Sequence, residues 1–464
     1  MIPDRLNPVL EAVRPLAVRF DAAGHRLYLV GGIVRDLVLG RPLDGDIDLT
    51  TDARPEVTTE LARDWADAVW DQGAKFGTVG VRHGESVFEI TTHRAEAYVP
   101  ESRKPEVSFA DEVELDLSRR DFTVNAMALR ITGVEGEAPE LIDPYGGVAD
   151  LAAGVLRTPL EPEVSFSDDP LRMLRAARFL AGYGLQPDAG LVDAVRHMVD
   201  RLEIVSAERV RDELGKLLVV ADPSDGLWFL VDTGIADVIL PELPAMRVEQ
   251  DPIHRHKDVL AHTIAVVAKT SPELVLRMAA LLHDVGKPKT RSIGAKGVSF
   301  HHHEVVGARM ARERLRALRF SNDQVADITQ LVFLHLRFHG YGDDVWTDAA
   351  VRRYVRDAGP LLGQLNELTR CDCTTRNERR ARQLAARMDA LENRIAELRE
   401  REALEAIRPD LDGQAVMDHL GVGPGPVVGQ ALAMLLEARL DEGPLGGEEA
   451  LKRLDAWYAA RSAD

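Results

Sequence analysis

The chain has 464 residues, 45% of them hydrophobic and 29% charged, with a net charge of −19 at pH 7. That is the balance of a soluble globular protein, and the length predicts two to four domains. No run of 18 apolar residues occurs, which excludes a transmembrane helix. Cys371 and Cys373, the two cysteines, exclude a disulfide framework, fit a reducing cytoplasm, and are too few to ligate a structural zinc; they read as incidental thiols. The acidity argues against a surface that wraps nucleic acid throughout, yet it permits a local basic groove.

The first 15 residues carry Asp4 and Glu11 without an apolar core, so no secretory signal is expected. Residues 27–32, 46–50, 77–83 and 87–94 read as strands. Asp36–Gly40 reads as a helical turn ended by glycine. A helix is expected over 54–69, with Val57, Leu61, Trp65 and Val69 on its apolar face. The polar stretch 94–118, with Pro100 and Pro105, reads as a long loop. From 168 onward the pattern is almost wholly helical, with breaks expected at 187–190, 221–226, 241–244, 288–297 and 421–426. Residues 376–408 form one long charged helical pattern, with Leu384, Met388, Leu391, Ile395 and Leu398 at spacings of three and four. The predicted class is α+β, with a mixed α/β N-terminal head followed by all-α regions.

The first chemical signal is Gly31-Gly32 followed by Arg35-Asp36 and then Asp46-Ile47-Asp48. Residues i and i+2 of a strand share a face. Asp46 and Asp48 therefore point one way while Ile47 and Leu49 enter the core. Two carboxylates beside a glycine turn can hold Mg²⁺, an ion that prefers oxygen ligands, and paired metals can clamp both oxygens of a phosphoryl displacement. The glycines let backbone approach a triphosphate closely, and Arg35, oriented by Asp36, can meet its oxygens. Glu89, in the apolar run 87–90, is a candidate third carboxylate.

Leu29-Val30-Gly31-Gly32-Ile33-Val34-Arg35-Asp36 and Asp44 to Thr50 together resemble the opening of the polymerase-β-type nucleotidyltransferase fold. The match is to its class II branch of CCA-adding tRNA nucleotidyltransferases and bacterial poly(A) polymerases. Arg119-Arg120-Asp121 to Ala128, Asp143 to Leu151, Asp168 to Phe179 and Ser206 to Leu214 are similar to the later motifs of that branch, in order. The chain departs from them at Asp168, where the family usually has Glu. The resemblance implies Asp46 and Asp48 as catalytic metal ligands. It implies nucleotide contacts from Gly31, Gly32, Arg35, Arg119, Arg120, Asp121, Asp169, Arg172, Arg175 and Arg178.

Asp169 and Arg172 are expected side by side at i and i+3 of a helix. Cytosine and adenine each present an amino donor beside a ring-nitrogen acceptor, and uracil and guanine present the reverse. An acceptor carboxylate with a donor guanidinium thus selects C and A without a template. Asp121 is expected to brace one of the Arg119–Arg120 pair. In the resembled enzymes a flexible segment at the position of 94–118 accompanies the switch from C to A, and CC-only relatives lack it. Its presence favours full CCA addition.

In the helical half, His262, His283-Asp284 and Asp372 resemble the HD phosphohydrolase pattern, with His303 and His335 similar to the added ligands of two-metal variants. Such nitrogen and oxygen donors suit Mn²⁺, Ni²⁺, Fe or Mg²⁺. Lys287 can steady a phosphate. His254, His256, His301 and His302 are expected to flank the centre.

The resulting organisation is a catalytic head (1–150), a helical neck for base selection (151–250), an HD domain (251–376) and a tRNA-binding tail (377–464). The expected partners are the tRNA 3′ end, CTP and ATP, with no membrane and no stable protein partner, in the cytoplasm. A basic track for tRNA is expected from Arg172/Arg175/Arg178, Arg209/Arg211/Lys216 and Arg370/Arg376/Arg379/Arg380/Arg382, aided by backbone N–H groups at 424–430. Three other readings compete. One is a poly(A) polymerase, disfavoured by the absence of a basic tail. Another is a phosphohydrolase whose N-terminal half only binds nucleotide, and the last is a relative of alarmone synthetases.

Overall fold

The computed structural model describes residues 6–43, 45–70, 77–97, 106–248, 258–294, 297–339, 346–373, 378–402 and 407–461. The chain divides into two compact units, residues 1–239 and 240–464. The expected head falls within the first, and the expected neck (151–250) runs past its end at Ile239 into the second. Among the described residues no helix is long and apolar enough to cross a membrane.

The first unit opens with α1 (Asn7–Ala22), which buries Val9, Leu10, Val13, Leu16, Ala17 and Phe20 along one face. These recur at helical spacing, so burying them against the sheet holds the helix more than intrinsic propensity does. Strand β1 (Leu27–Val30) is buried throughout. Gly31, at φ 72°, turns the chain directly into α2 (Gly32–Leu39), and Gly40 ends that helix in the left-handed conformation, where a side chain would be strained. Then follow β2 (Ile47–Thr51), α3 (Pro55–Arg63), β3 (Ala68–Trp70), β4 (Thr78–His83), β5 (Ser86–Thr92), β6 (Arg94–Ala97), β7 (Glu106–Phe109) and α4 (Val113–Ser118). After these come β8 (Ala128–Ile131), β9 (Glu140–Ile142), α5 (Gly147–Ala153), β10 (Val155–Leu156), α6 (Pro162–Asp168), α7 (Leu171–Tyr183), β11 (Gln186–Pro187), α8 (Ala189–Met198), α9 (Ala207–Leu218), α10 (Ser224–Asp232) and α11 (Ile235–Ile239).

Seven strands form one sheet in the order β3-β4-β5-β2-β1-β8-β9. Within it β2 and β5 run parallel, and this pairing sets Asp48 opposite Glu89. Two expectations fail locally. The helix expected over 54–69 stops at Arg63, and 68–70 becomes edge strand β3. Val69 pairs with Val81 instead of lying on a helix, and Trp65 stacks on His83 with ring centroids 4.3 Å apart, so sheet edge and aromatic stacking absorb the apolar residues that mimicked helical spacing. The loop expected over 94–118 is a β6–β7 hairpin followed by α4; its middle, 98–105, lies outside the described residues.

The second unit contains α12 (Glu242–Ala245), α13 (Val259–Lys269), α14 (Leu274–Leu282), α15 (Lys287–Thr290), β12 (Arg291–Gly294), β13 (Gly297–Phe300), α16 (His303–Ala317), α17 (Asn322–Leu334), α18 (Asp348–Ala358), α19 (Leu362–Asp372), α20 (Glu378–Glu402), α21 (Gly413–Leu420), α22 (Pro426–Glu442) and α23 (Gly447–Arg461). The break expected over 288–297 is a short helix leading into the β12–β13 hairpin, a strand pair absent from the all-α expectation. Ser321 and Gln324 form a capping box at the start of α17. Helix α20 buries Met388, Leu391, Ile395 and Leu398, as its spacing predicts. A buried Arg352–Glu402 pair at 2.8 Å links α18 to α20, and the Arg352 guanidinium also donates to the Leu440 carbonyl at the end of α22.

Candidate active site and metal centre

In the first unit an open cavity of about 330 Å³ is lined by Asp48, Glu89, Arg94, Arg119, Arg120, Asp121, Asp169, Arg172 and Arg175, with Val30, Leu49 and Thr91. Its size lies at the lower end of small-ligand sites. Asp48 comes from the sheet because Ile47 and Leu49 are buried in the core, which turns the residue between them outward. Asp46 precedes β2 and is exposed. Burial pushes the Asp48 carboxyl above its ordinary range, and Glu89 and Asp46 add to that against the opposing pull of Arg120. Crowded carboxylates of this kind favour a bound cation, so the oxygen donors fit a divalent metal. Gly31 is required by more than its positive φ: a Cβ there would lie 3.0 Å from Arg120 Nη1 and 3.9 Å from Asp48 Oδ2.

Arg119 and Arg120 follow α4, and both are held by Asp116 in that helix, through Arg119 Nη2 at 2.9 Å and Arg120 Nη2 at 3.2 Å. The sequence reading assigned the brace to Asp121 and missed Asp116. Asp121 instead accepts from Arg175 Nε at 2.9 Å, from the Phe122 N–H and from Asn125 Nδ2. The i−3 and i−4 spacing of Asp116 from the arginine pair was the available signal.

Asp169 and Arg172 both line the cavity, but not as an i, i+3 pair on one helix. Asp169 lies before α7 in extended conformation. Its Oδ1 accepts the Leu171 N–H and its Oδ2 accepts Arg209 Nη2 at 2.7 Å. Arg172 donates to Ser165 and to the Arg119 carbonyl. Pro170 ends the preceding turn, so the helix begins too late to include the aspartate. These bonds leave donor and acceptor capacity on both side chains.

Arg35 and Arg178 do not line the cavity. Asp36 does orient Arg35, at 3.0 and 2.8 Å, but Arg35 Nη1 reaches Asn125 and its guanidinium lies 4.2 Å from the Tyr183 ring centroid. It ties α2 to α7 as a buried strut. Arg178 pairs with Glu213. The expected basic track is therefore compensated in part, since Arg175, Arg178, Arg209, Arg211 and Arg370 each face a carboxylate, and the side chain of Arg380 lies outside what is described. Arg376 lies outside the described residues.

In the second unit six residues converge. His262 Nε2 lies 2.9 Å from Asp372 Oδ1 and 3.5 Å from Asp284 Oδ2. His283 Nε2 lies 3.2 Å from Asp284 Oδ2. His303 Nε2 and His335 Nε2 stand 3.4 and 3.9 Å from Asp284 Oδ1 and 3.2 Å from each other. The backbone decides the tautomers. His283, His303 and His335 each place Nδ1 within 2.6 to 2.8 Å of a carbonyl three residues earlier, which only an Nδ1–H can satisfy. Their Nε2 lone pairs are thus aimed at the carboxylates, the orientation that metal-ligating imidazoles adopt. Among the described residues the buried Nε2 of His283 makes no well-aligned hydrogen bond, although Asp284 Oδ2 lies 3.2 Å away. Burial alone would push His283 down, yet Asp284 holds it up to about 10, so that with only the carboxylates facing it Nε2 takes a proton in the place a cation would fill; burial drives His335 down to about 3. Carboxylates facing lone pairs call for a shared cation, and the donor set fits one.

Two groupings meet the geometry, His262–His283–Asp284 and Asp284–His303–His335, with Asp284 common to both. Gly286 allows the close packing of this turn on α16, since a Cβ there would meet the His303 carbonyl at 2.2 Å. Lys287 Nζ binds Asp284 Oδ2 at 2.6 Å, so its charge is already engaged by a carboxylate of the centre. His301 and His302 are exposed beside the centre. His254 and His256 lie outside the described residues.

Residues 27–157 match the poly A polymerase head domain, 184–246 the family described as "Probable RNA and SrmB- binding site of polymerase A", and 259–398 the HD domain. The chain is 35% identical over 428 residues to an A-adding tRNA nucleotidyltransferase of Deinococcus radiodurans, covering 89% of this chain and 91% of that one. It is 34% identical over 258 residues to a CCA-adding enzyme of Lactobacillus delbrueckii subsp. bulgaricus, a match spanning 55% of this chain and 61% of that protein. Its fold is that of the Bacillus stearothermophilus CCA-adding enzyme solved in complex with CTP, at a TM-score of 0.72 and 24% identity over 99% of each chain. The Thermotoga maritima CCA-adding enzyme complexed with tRNA matches at a TM-score of 0.55 and 20% identity over 97% of this chain and 96% of that one. With a polymerase-type head, the RNA-binding and HD regions in order, and a tRNA nucleotidyltransferase matched along nearly its whole length, this chain belongs to the tRNA nucleotidyltransferase and poly(A) polymerase family.

Proposed function

We propose that the protein adds C, C and A to the 3′ end of tRNA from CTP and ATP without a template, releasing pyrophosphate. The observation that carries this reading is one cavity in which Asp48 and Glu89 face Arg119 and Arg120, with Asp169 and Arg172 on the same lining. Asp48, with Asp46 and Glu89, would hold Mg²⁺. Bound there, the ion would lower the barrier to phosphoryl transfer by stabilising charge on the attacking and leaving oxygens. The 3′-hydroxyl of the tRNA attacks the α-phosphate. Arg119 and Arg120 hold the anionic oxygens, whose guanidinium contacts are charge-assisted and directional. Asp169 accepts the exocyclic amino group of C or A while Arg172 donates to the ring nitrogen. Uracil or guanine would set acceptor against acceptor and donor against donor, leaving polar groups unpaired.

The head supplies catalysis, the neck base selection, and the tail, with α22 beginning at Pro426, tRNA contacts. At the second centre, His262, His283, Asp284, Asp372, His303 and His335 would hold Mn²⁺, Ni²⁺, Fe or Mg²⁺ for hydrolysis of small phosphoesters. The setting is the cytoplasm. A narrower reading, addition of the terminal A alone, is favoured by one observation: the relative matched over 91% of its length is an A-adding enzyme.

The test is incorporation with Mg²⁺ into two tRNAs, one lacking CCA and one ending in CC. Three additions that stop at CCA support the proposal. Addition of A only to the CC-ended tRNA selects the narrower reading. Long A-tails on unselected RNA would mean a poly(A) polymerase, and no incorporation overturns all three.

A further inference from the structure

Asp116 is the most completely buried carboxylate beside the nucleotide cavity, at 0% exposure, yet it does not line it. Its Oδ1 accepts from Arg119 Nε at 3.2 Å and Arg119 Nη2 at 2.9 Å, and also from the Arg94 backbone N–H at 3.3 Å. Its Oδ2 accepts from Arg120 Nη2 at 3.2 Å. One carboxylate thus anchors two adjacent guanidiniums that are each about one-fifth exposed toward the cavity. The anchorage extends further, because the Arg119 carbonyl accepts from Arg172. Neighbouring like charges on long side chains would otherwise diverge into solvent. A free arginine also carries substantial rotamer entropy that binding must remove. Burying a carboxylate is costly unless it is fully paired, and here all its described partners are cavity-lining arginines.

We propose that Asp116 is a positioning residue of the nucleotide site, a buried anion that presets Arg119 and Arg120, and through Arg119 the base-facing Arg172, in the geometry that receives a triphosphate. This rests on the reading of the cavity as the site for CTP and ATP. Preorganisation of this kind improves affinity by lowering the ordering cost on binding. It also reverses the sign expected from charge alone. Removing one negative charge beside the cavity should, by Coulomb attraction, tighten binding of an anionic nucleotide. Removing the anchor should weaken it.

The experiment is titration of the full-length protein with Mg²⁺-ATP and with AMP, without RNA, for the wild type, Asp116→Asn, Arg119→Met/Arg120→Met and the triple variant. Asp116→Asn is expected to weaken ATP at least about tenfold and AMP much less, and to add nothing in the Arg119→Met/Arg120→Met background. A purely structural ion pair would change the melting temperature while leaving the ATP affinity of the folded fraction intact. ATP binding that is unchanged or tighter in folded Asp116→Asn overturns the proposal, as does an equal loss for ATP and AMP. Should Asp116→Asn fail to fold, Asp116→Glu carries the same comparison, because it keeps the charge but displaces it by a methylene. A wild type that binds neither ATP nor CTP would instead overturn the reading of the cavity.

Discussion

Both units gather carboxylates that are partly or wholly buried, and they neutralise them in opposite ways. In the first unit Asp116, Asp121 and Asp169 each face at least one arginine. A guanidinium stays charged at any accessible pH, so the cavity keeps its charge pattern whether or not a ligand is bound. In the second unit Asp284 and Asp372 face four imidazoles, three of which (His283, His303 and His335) commit their Nδ1–H groups to backbone carbonyls, together with one lysine. Those imidazoles are charged only when protonated, and each Nε2 turned to the acids can take either a proton or a shared cation. Permanent cations suit a site that must receive and release a polyanion at every turnover. Donors that can give up a proton to a cation, set around shared carboxylates, suit a site that keeps its metal.

The sharpest way to break this comparison is to remove one acid from each centre. Asp48→Ala is expected to lower nucleotide addition by about three orders of magnitude or more, because the residue would hold catalytic metal, while divalent metal uptake at the histidine centre stays intact. Asp284→Ala is expected to do the converse, abolishing metal uptake measured by elemental analysis while addition to tRNA persists. Loss of both properties in either folded variant would show that the two centres are not independent.

The elements that position the sites were legible where the local pattern is strong. Gly31 and Gly40 bracket α2 because only a residue without a Cβ takes their positive φ cheaply, and the buried Ile47 and Leu49 dictate the outward face of Asp48. The six residues of the histidine centre were legible because they follow in the order of the HD pattern, which a lone histidine on an apolar helix would not suggest. What the sequence hid were contacts decided by tertiary packing. Arg35 looked like a phosphate ligand until Asn125 and Tyr183 claimed its guanidinium. Asp169 seemed helical by spacing, but Pro170 moved the helix start past it, and Arg209 from α9 became its partner. Asp116 escaped notice because it sits outside the recognised run of residues 119–128. The helix expected over 54–69 ends at Arg63 because residues 68–70 pair with β4, Val69 opposite Val81.

A smaller effect tests whether the arginine-braced site reads the base. Asp169→Ala is expected to cut discrimination against UTP and GTP by about ten- to a hundredfold, the range for one lost bidentate base contact. Because Asp169 also accepts the Leu171 N–H at the start of α7, one residue before the N-cap Pro170, a stability loss of about 1 kcal/mol should accompany it. Competition assays with mixed nucleotides measure the first effect and thermal melts the second. Unchanged discrimination would remove Asp169 from base selection and leave it a support of the helix start.

The last effect, confined to acid pH, concerns stability, and here the sign follows from the pairing. Burial alone would raise the Asp116 pKa, but Arg120 and Arg119 outweigh it and hold the carboxyl down at about 2. The unfolded chain titrates this group at about 3.9, so above that pH both states are ionised and the full stabilisation is present. As pH falls from about 4 toward 2 the unfolded state takes up a proton first, and the stabilisation drains away by about 2 kcal/mol. The arginine partners do not titrate in this window, so the loss belongs to the carboxylate. Denaturant unfolding of the first unit, followed by Trp fluorescence between pH 5 and 2, should therefore steepen its pH dependence in the wild type relative to Asp116→Asn. Equal slopes would mean that the two arginines do not hold Asp116 as an ion pair in the folded protein.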